Sequence, residues 1–215
     1  MISFHIRIGL VAFFTFTSSF IFAQSMRYGT VASLQLSHTQ HTNSRLGFSF
    51  GMKGELDFSD NENRAYLDFG LLLSAKGWKD KLSYADDMDK FCEWKCRLYY
   101  LEVPVHIGYK YALSEKVKLL SDIGPYFAVG LSGKSEFSGG DKSLSAENPY
   151  EGNLFKNDTY KRFDAGVGAD IGVEIKQRLQ IVIGYQMSLM NPVKERWNIL
   201  SLKDRTLFLS FAYMF

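Results

Sequence analysis

Charge of one sign, cysteine, proline and long apolar runs are all scarce in this chain of 215 residues. Lys and Arg (25) nearly balance Asp and Glu (23). No bulk positive field exists to hold nucleic acid. The two cysteines, Cys92 and Cys96, are too few for a disulfide scaffold. No histidine lies near them in sequence to complete a zinc site. Past the N-terminal segment no apolar run approaches the roughly 20 residues of a transmembrane helix. That excludes a helical-bundle membrane protein. It does not exclude a β-barrel, whose polar lumen dilutes the mean hydropathy of −0.12.

What is present begins with an export signal. His5 and Arg7 precede an apolar run, Ile8–Phe22, and Ala23 offers a small residue for cleavage before Gln24. This is the anatomy of a secretory signal peptide. Residues 1–23 are therefore set apart, leaving one domain over 24–215. No cysteine follows the cleavage point, which argues against lipid attachment. An exported chain meets an oxidising compartment, so a local Cys92–Cys96 disulfide is expected in a loop.

The mature chain alternates. From Phe163 to Ile175 every second residue is apolar, with Asp164, Gly166, Gly168, Asp170, Gly172 and Glu174 opposite. After Lys176–Arg178 a second alternating run follows, from Leu179 to Leu189. A strict period of two means strands with different environments on their two faces. Further strands are expected over Thr30–Thr39, Ser44–Phe58, Arg64–Gly77, Arg97–Ala112, Lys116–Ser132 and Asp204–Phe215. Trp78–Lys95 and Gly133–Tyr160 are charged or Ser/Gly-rich and are expected as long loops, as is Asn191–Lys203. Pro104 and the Gly124–Pro125 pair interrupt two strands, where bulges are expected. Most connections alternate short and long, the pattern of periplasmic turns and extracellular loops. The expected fold is all-β, an eight-stranded antiparallel transmembrane barrel in the bacterial outer membrane.

The glycine-rich polar face decides which way the apolar face points. Glycine covers nothing on an exterior, but inside a narrow barrel it makes room for charged neighbours. The apolar face also carries Tyr99, Tyr109, Tyr111, Tyr213 and Phe215 near strand ends, as an interfacial girdle would. The inward positions are then Lys53, Lys76, Lys110, Glu55, Asp57, Asp68, Glu102, His106, Asp122, Asp164, Asp170 and Glu174. Both signs of charge in a narrow lumen must pair. A plugged, polar-networked lumen is expected, completed by Tyr100, Tyr126 and water, with function carried by the loops. Phe215 ends an alternating apolar strand and is expected to act as an assembly signal.

The runs Tyr99–Val105 (YYLEVPV), Gly124–Gly130 (GPYFAVG) and Arg162–Gly168 (RFDAGVG) resemble the PorT-like outer-membrane β-barrel family of Bacteroidetes-type bacteria. The resemblance covers nearly the whole mature chain and implies that Pro104 belongs to the strand. It implies outer-membrane lipid and the barrel-assembly machinery as partners. The family's namesake implies a secretion apparatus or another surface partner.

Other motifs carry less. Ala128–Ser135 matches a relaxed phosphate-loop pattern, but no helix follows to present free N–H groups. His106 is a candidate base without a Gly-x-Ser-x-Gly nucleophile. Asp86, Asp87 and Asp89 lack the glycine and glutamate of a calcium loop. Asn157–Thr159 matches a glycosylation acceptor, set aside in a bacterial chain. The reading carries no catalytic residue, no metal, no cofactor and no nucleic-acid partner. Its alternatives are an outer-membrane enzyme acting through His106 and a secreted, lipocalin-like ligand-binding barrel.

Overall fold

The computed structural model describes residues 25–39, 42–83, 91–138, 153–156, 160–192 and 203–215. Its strands are β1 (Ser25–Thr39), β2 (Asn43–Asp57), β3 (Arg64–Ser83), β4 (Phe91–Ser114), β5 (Val117–Ser138), β6 (Phe163–Ile175), β7 (Leu179–Ser188) and β8 (Asp204–Met214). Each pairs antiparallel with its neighbour in sequence. β1 closes on β8 from Gly29 opposite Met214 to Thr39 opposite Asp204. Where the eight strands close, the ladders satisfy the backbone groups within the protein and leave no edge; beyond Lys79 and Val129, β3 and β5 pair with β4 alone.

The apolar face points outward. Leu46, Phe50, Met52, Ile107, Ile123, Ile171 and Ile183 are exposed on the barrel wall, while the polar face is buried. A soluble ligand-binding barrel would have the reverse arrangement. That alternative is therefore overturned by the orientation of the side chains.

Two of the expected loops shorten. β3 runs to Ser83 and β4 starts at Phe91, so most of Trp78–Lys95 is strand. β5 likewise continues through Gly133 to Ser138. Above a membrane the outward face need not be apolar, so the alternation fades while the ladder continues. Among the described residues, Ala128–Ser135 is β-strand, not a loop opening a helix.

The expected bulges at Pro104 and Pro125 are not where the register shifts. The β4–β5 shifts fall at Tyr99/Tyr100 and Ala112/Ser114. Pro104 and Pro125 instead sit in ladders of unchanged register, opposite Tyr126 and Val167. Gly124 explains part of this tolerance. A Cβ there would lie 2.2 Å from the Val105 carbonyl oxygen and 2.6 Å from the His106 Cα. The close approach of the two backbones needs a glycine.

The β6–β7 turn places Lys176 (φ 51°) and Gln177 (φ 59°) in the left-handed region. In this three-residue connection, closed by the Arg178 N–H to the Ile175 carbonyl, the successive positive φ values suit the right-handed twist of the flanking strands, though Asn-Gly would adopt them more readily. Arg27 holds the turn by donating to the Gln177 carbonyl at 2.8 Å. Residues 1–23, Asp86, Asp87, Asp89 and the Asn157–Thr159 triplet lie outside the described residues.

Candidate functional site

The lumen is filled in tiers. At the end with short turns, Lys110 is fully buried among Glu55 (2.6 Å), Asp57 (3.1 Å) and Glu174 (3.7 Å), with its ammonium 4.7 Å from the Tyr66 ring centroid. Arg27 reaches from β1 to both Glu55 and Glu174. Gln180 donates to the same two carboxylates at 2.6 and 2.9 Å. Arg64 pairs with Asp57 at 2.7 Å, and Lys53 bridges Asp68 and Glu55. Each buried acid here meets a cation or amide, as desolvated charges must.

The middle tier contains His106, Asp122 and Asp170. His106 Nδ1 lies 2.7 Å from Asp122 Oδ1 and 3.5 Å from Asp170 Oδ2. Carboxylates only accept, so Nδ1 carries the proton. Tyr66 donates to the second Asp122 oxygen at 2.6 Å. A cavity of about 70 Å³ adjoins this tier. That is room for a few waters, not for an organic ligand.

The upper tier pairs Lys76 with Glu102 at 2.7 Å, and Gln186 donates to Glu102 at 2.9 Å. Lys76 also sits 4.8 Å from the Tyr126 ring centroid. Tyr126 and Ser188 both donate to Asp164. Two glycines make space for these rings. A Cβ at Gly166 would lie 2.5 Å from Tyr126, and one at Gly108 would lie 2.7 Å from Tyr66.

An apolar cap closes the end with long connections. Trp78, Cys96, Leu98 and Tyr100 line it from the strands, and Leu154, Phe155 and Tyr160 descend from the β5–β6 connection. Phe155 meets Tyr100 and Tyr160 edge-on, at 5.6 and 6.4 Å between centroids. Two backbone bonds pin this segment, Leu154 N–H to Gly133 and Tyr160 N–H to Leu154. Burial pushes the Tyr160 hydroxyl well above the ordinary tyrosine range.

All of the expected lumen residues point inward, with Tyr126 in the network and Tyr100 in the cap. The expected Cys92–Cys96 disulfide does not form. Cys96 is a free, buried thiol. Both residues sit on β4, opposite Leu82 and Trp78. Four residues of extended strand separate them by about 13 Å, beyond the roughly 7 Å that a disulfide spans. Arg27, Arg64, Tyr66 and Asp204 are lumen residues the sequence reading missed, whereas Gln180 and Gln186 fall on the polar face of the Leu179–Leu189 run and only their part in the charge network went unread. Arg27 precedes the first strand as read, although Met26, Tyr28 and Thr30 already alternate with it.

The sequence matches the family of outer membrane protein beta-barrel domains over residues 5–193. The chain belongs to that family. It is an outer-membrane β-barrel protein of the bacterial outer membrane. Solved structures similar to the barrel include Ail, the attachment invasion locus protein of Yersinia pestis, at 12% identity. The match covers 90% of this chain and 99% of Ail, with a TM-score of 0.39. Neisserial surface protein A is 15% identical, with coverage of 90% and 99% and a TM-score of 0.43. OprG from Pseudomonas aeruginosa is 7% identical, with coverage of 90% and 96% and a TM-score of 0.41. No curated protein matches the sequence.

Proposed function

We propose that this barrel works through its extracellular face rather than as a pore. The observation that carries the reading is the closed interior, packed by ion pairs below and by Leu154, Phe155 and Tyr160 above. Eight strands enclose space for side chains, not an aqueous channel. The uneven wall supports it. β3, β4 and β5 run 20, 24 and 22 residues, about twice the nine to eleven that cross a bilayer. Their upper parts therefore stand above the membrane as a three-stranded platform. On it exposed Arg97 lies opposite exposed Lys134, while Lys95 has Lys79 on one side and Glu136 on the other. Like charges set directly across a ladder repel, so the Arg97–Lys134 pair is where this face favours an anionic contact.

The finer reading is kinship with the PorT-like barrels, in a binding or secretion-associated role. Its support is that the three resembling runs lie side by side in the wall, with Pro104 opposite Tyr126 and Tyr126 opposite Gly166. The test is single-channel recording of the purified monomer in a planar bilayer. No stable conductance is expected. Large, steady open-channel currents would move the function to solute passage.

A further inference from the structure

We propose that His106, Asp122 and Asp170 form a lumenal binding site for one divalent transition-metal cation, with Zn²⁺ the preferred ion. The three side chains come from β4, β5 and β6. Asp122 and Asp170 are directly opposite each other in the ladder. One donor atom from each residue lies within 4.8 Å of the other two. The Nδ1 separations are 2.7 and 3.5 Å. At metal–ligand distances of about 2.0–2.2 Å, neighbouring donors of a tetrahedral site stand roughly 3.3–3.6 Å apart, so a metal would draw Asp122 back from Nδ1 and leave Asp170 nearly in place.

Charge gives the second argument. The nearby lysines make their ion pairs elsewhere, Lys53 with Asp68 and Glu55, Lys110 with Glu55, Asp57 and Glu174, and Lys76 with Glu102, so Asp122 and Asp170 share only the longer-range field of Lys53. Asp122 and Asp170 face each other with one imidazole and one tyrosine hydroxyl between them. Two carboxylates so placed call for more positive charge than one imidazole supplies.

Unused ligand capacity is the third argument. His106 is 3% exposed, and the buried Oδ1 of Asp170 has no hydrogen-bond partner. The adjoining cavity of about 70 Å³ is lined by all three residues. It has room for water to complete the coordination. Tyr66, holding the second Asp122 oxygen, would orient that carboxylate as outer partners of metal ligands do.

One imidazole and two carboxylates suit Zn²⁺, and two carboxylates are too few for the six to eight oxygens of Ca²⁺. Binding through Nδ1 leaves the ring's one proton on Nε2: a neutral ring moves its proton there, and an imidazolium gives up its second proton to solvent.

The full mature chain, refolded from urea into detergent with ZnCl₂ and then desalted, tests this by elemental analysis. About one retained zinc per chain is expected for the wild type and for Asp60→Asn, an exposed-turn control. Asp170→Asn and His106→Gln, folded by heat-modifiable gel mobility, should retain at least tenfold less. Zinc-free wild type, or equal retention by both variants, would overturn the site. Should the variants not fold, zinc-edge X-ray absorption on the wild type decides. A first shell with one imidazole and oxygens supports the site, and one without imidazole refutes it.

Discussion

Replacing Lys110 with Met tests whether the lumen is held by specific charge pairing. Lys110 is fully buried and sits among Glu55, Asp57 and Glu174. Methionine keeps most of the volume and removes the charge. Breaking a buried pair by removing one partner costs about 3–5 kcal/mol. Two contacts soften the loss here. Arg27 still reaches Glu55 and Glu174, and Arg64 still reaches Asp57. The expected cost is therefore at the lower end, about 3 kcal/mol, or roughly a hundredfold in the folding equilibrium. The assay is reversible urea unfolding in lipid vesicles, followed by tryptophan fluorescence. Adding Glu55→Gln to Lys110→Met removes one of the stranded carboxylates. The double variant should be less destabilised than the sum of the two single variants by about 1.5 kcal/mol or more. A loss below about 1 kcal/mol with no coupling would mean that lumenal water screens these charges, and the argument would fail.

Three further outcomes are expected. Gly130→Ala would place a Cβ 2.4 Å from the Phe155 ring. It should displace the cap and raise protease cleavage near residues 153–156 at least severalfold, and unchanged cleavage would refute the packing. Cys96 is 1% exposed. It should resist maleimide in the folded barrel and react once unfolded, with no Cys92–Cys96 linkage by mass spectrometry under non-reducing conditions. Deleting Phe215 removes its hydrogen bond to the Tyr28 carbonyl (2.8 Å) and its edge contact with Tyr213. Assembly yield into membranes should fall more than for any single substitution in 153–156, and normal insertion would contradict the role given to this residue.

How much of this could be read from residues alone depends on the environment of each segment. β6 was legible to the residue, because lipid on one side and a charged lumen on the other impose strict alternation at Phe163–Ile175. The upper halves of β3, β4 and β5 were not. Above the membrane both faces tolerate charge, and Lys79, Lys95 and Lys134 hide the period of two. The individual lumen residues could be placed by parity, but their partners could not. His106, Asp122 and Asp170 meet only because two ladders bring three distant segments into register. Phe155 and Leu154 gave no signal at all, since an apolar pair within a polar connection has no periodicity to reveal its target. The disulfide expectation failed for the same reason as the loop around it. A strand was read as a loop, and extended backbone keeps neighbouring cysteines apart.

The contacts of Arg27 bear on how the barrel closes. Its guanidinium joins β1 to Glu55 on β2 and, across the interior, to Glu174 on β6. Suppose β1 met β8 one residue out of step. Every side chain on β1 would change faces, and Arg27 and Gln35 would turn toward lipid while Leu34 and Leu36 turned inward. An arginine facing lipid costs about 2–4 kcal/mol at the midplane and less near the interface. The acids at the lower end would also lose a cation. A misregistered seam is thus penalised twice, once outside and once inside. The lower charge cluster favours the native register at the seam over its one-residue neighbours.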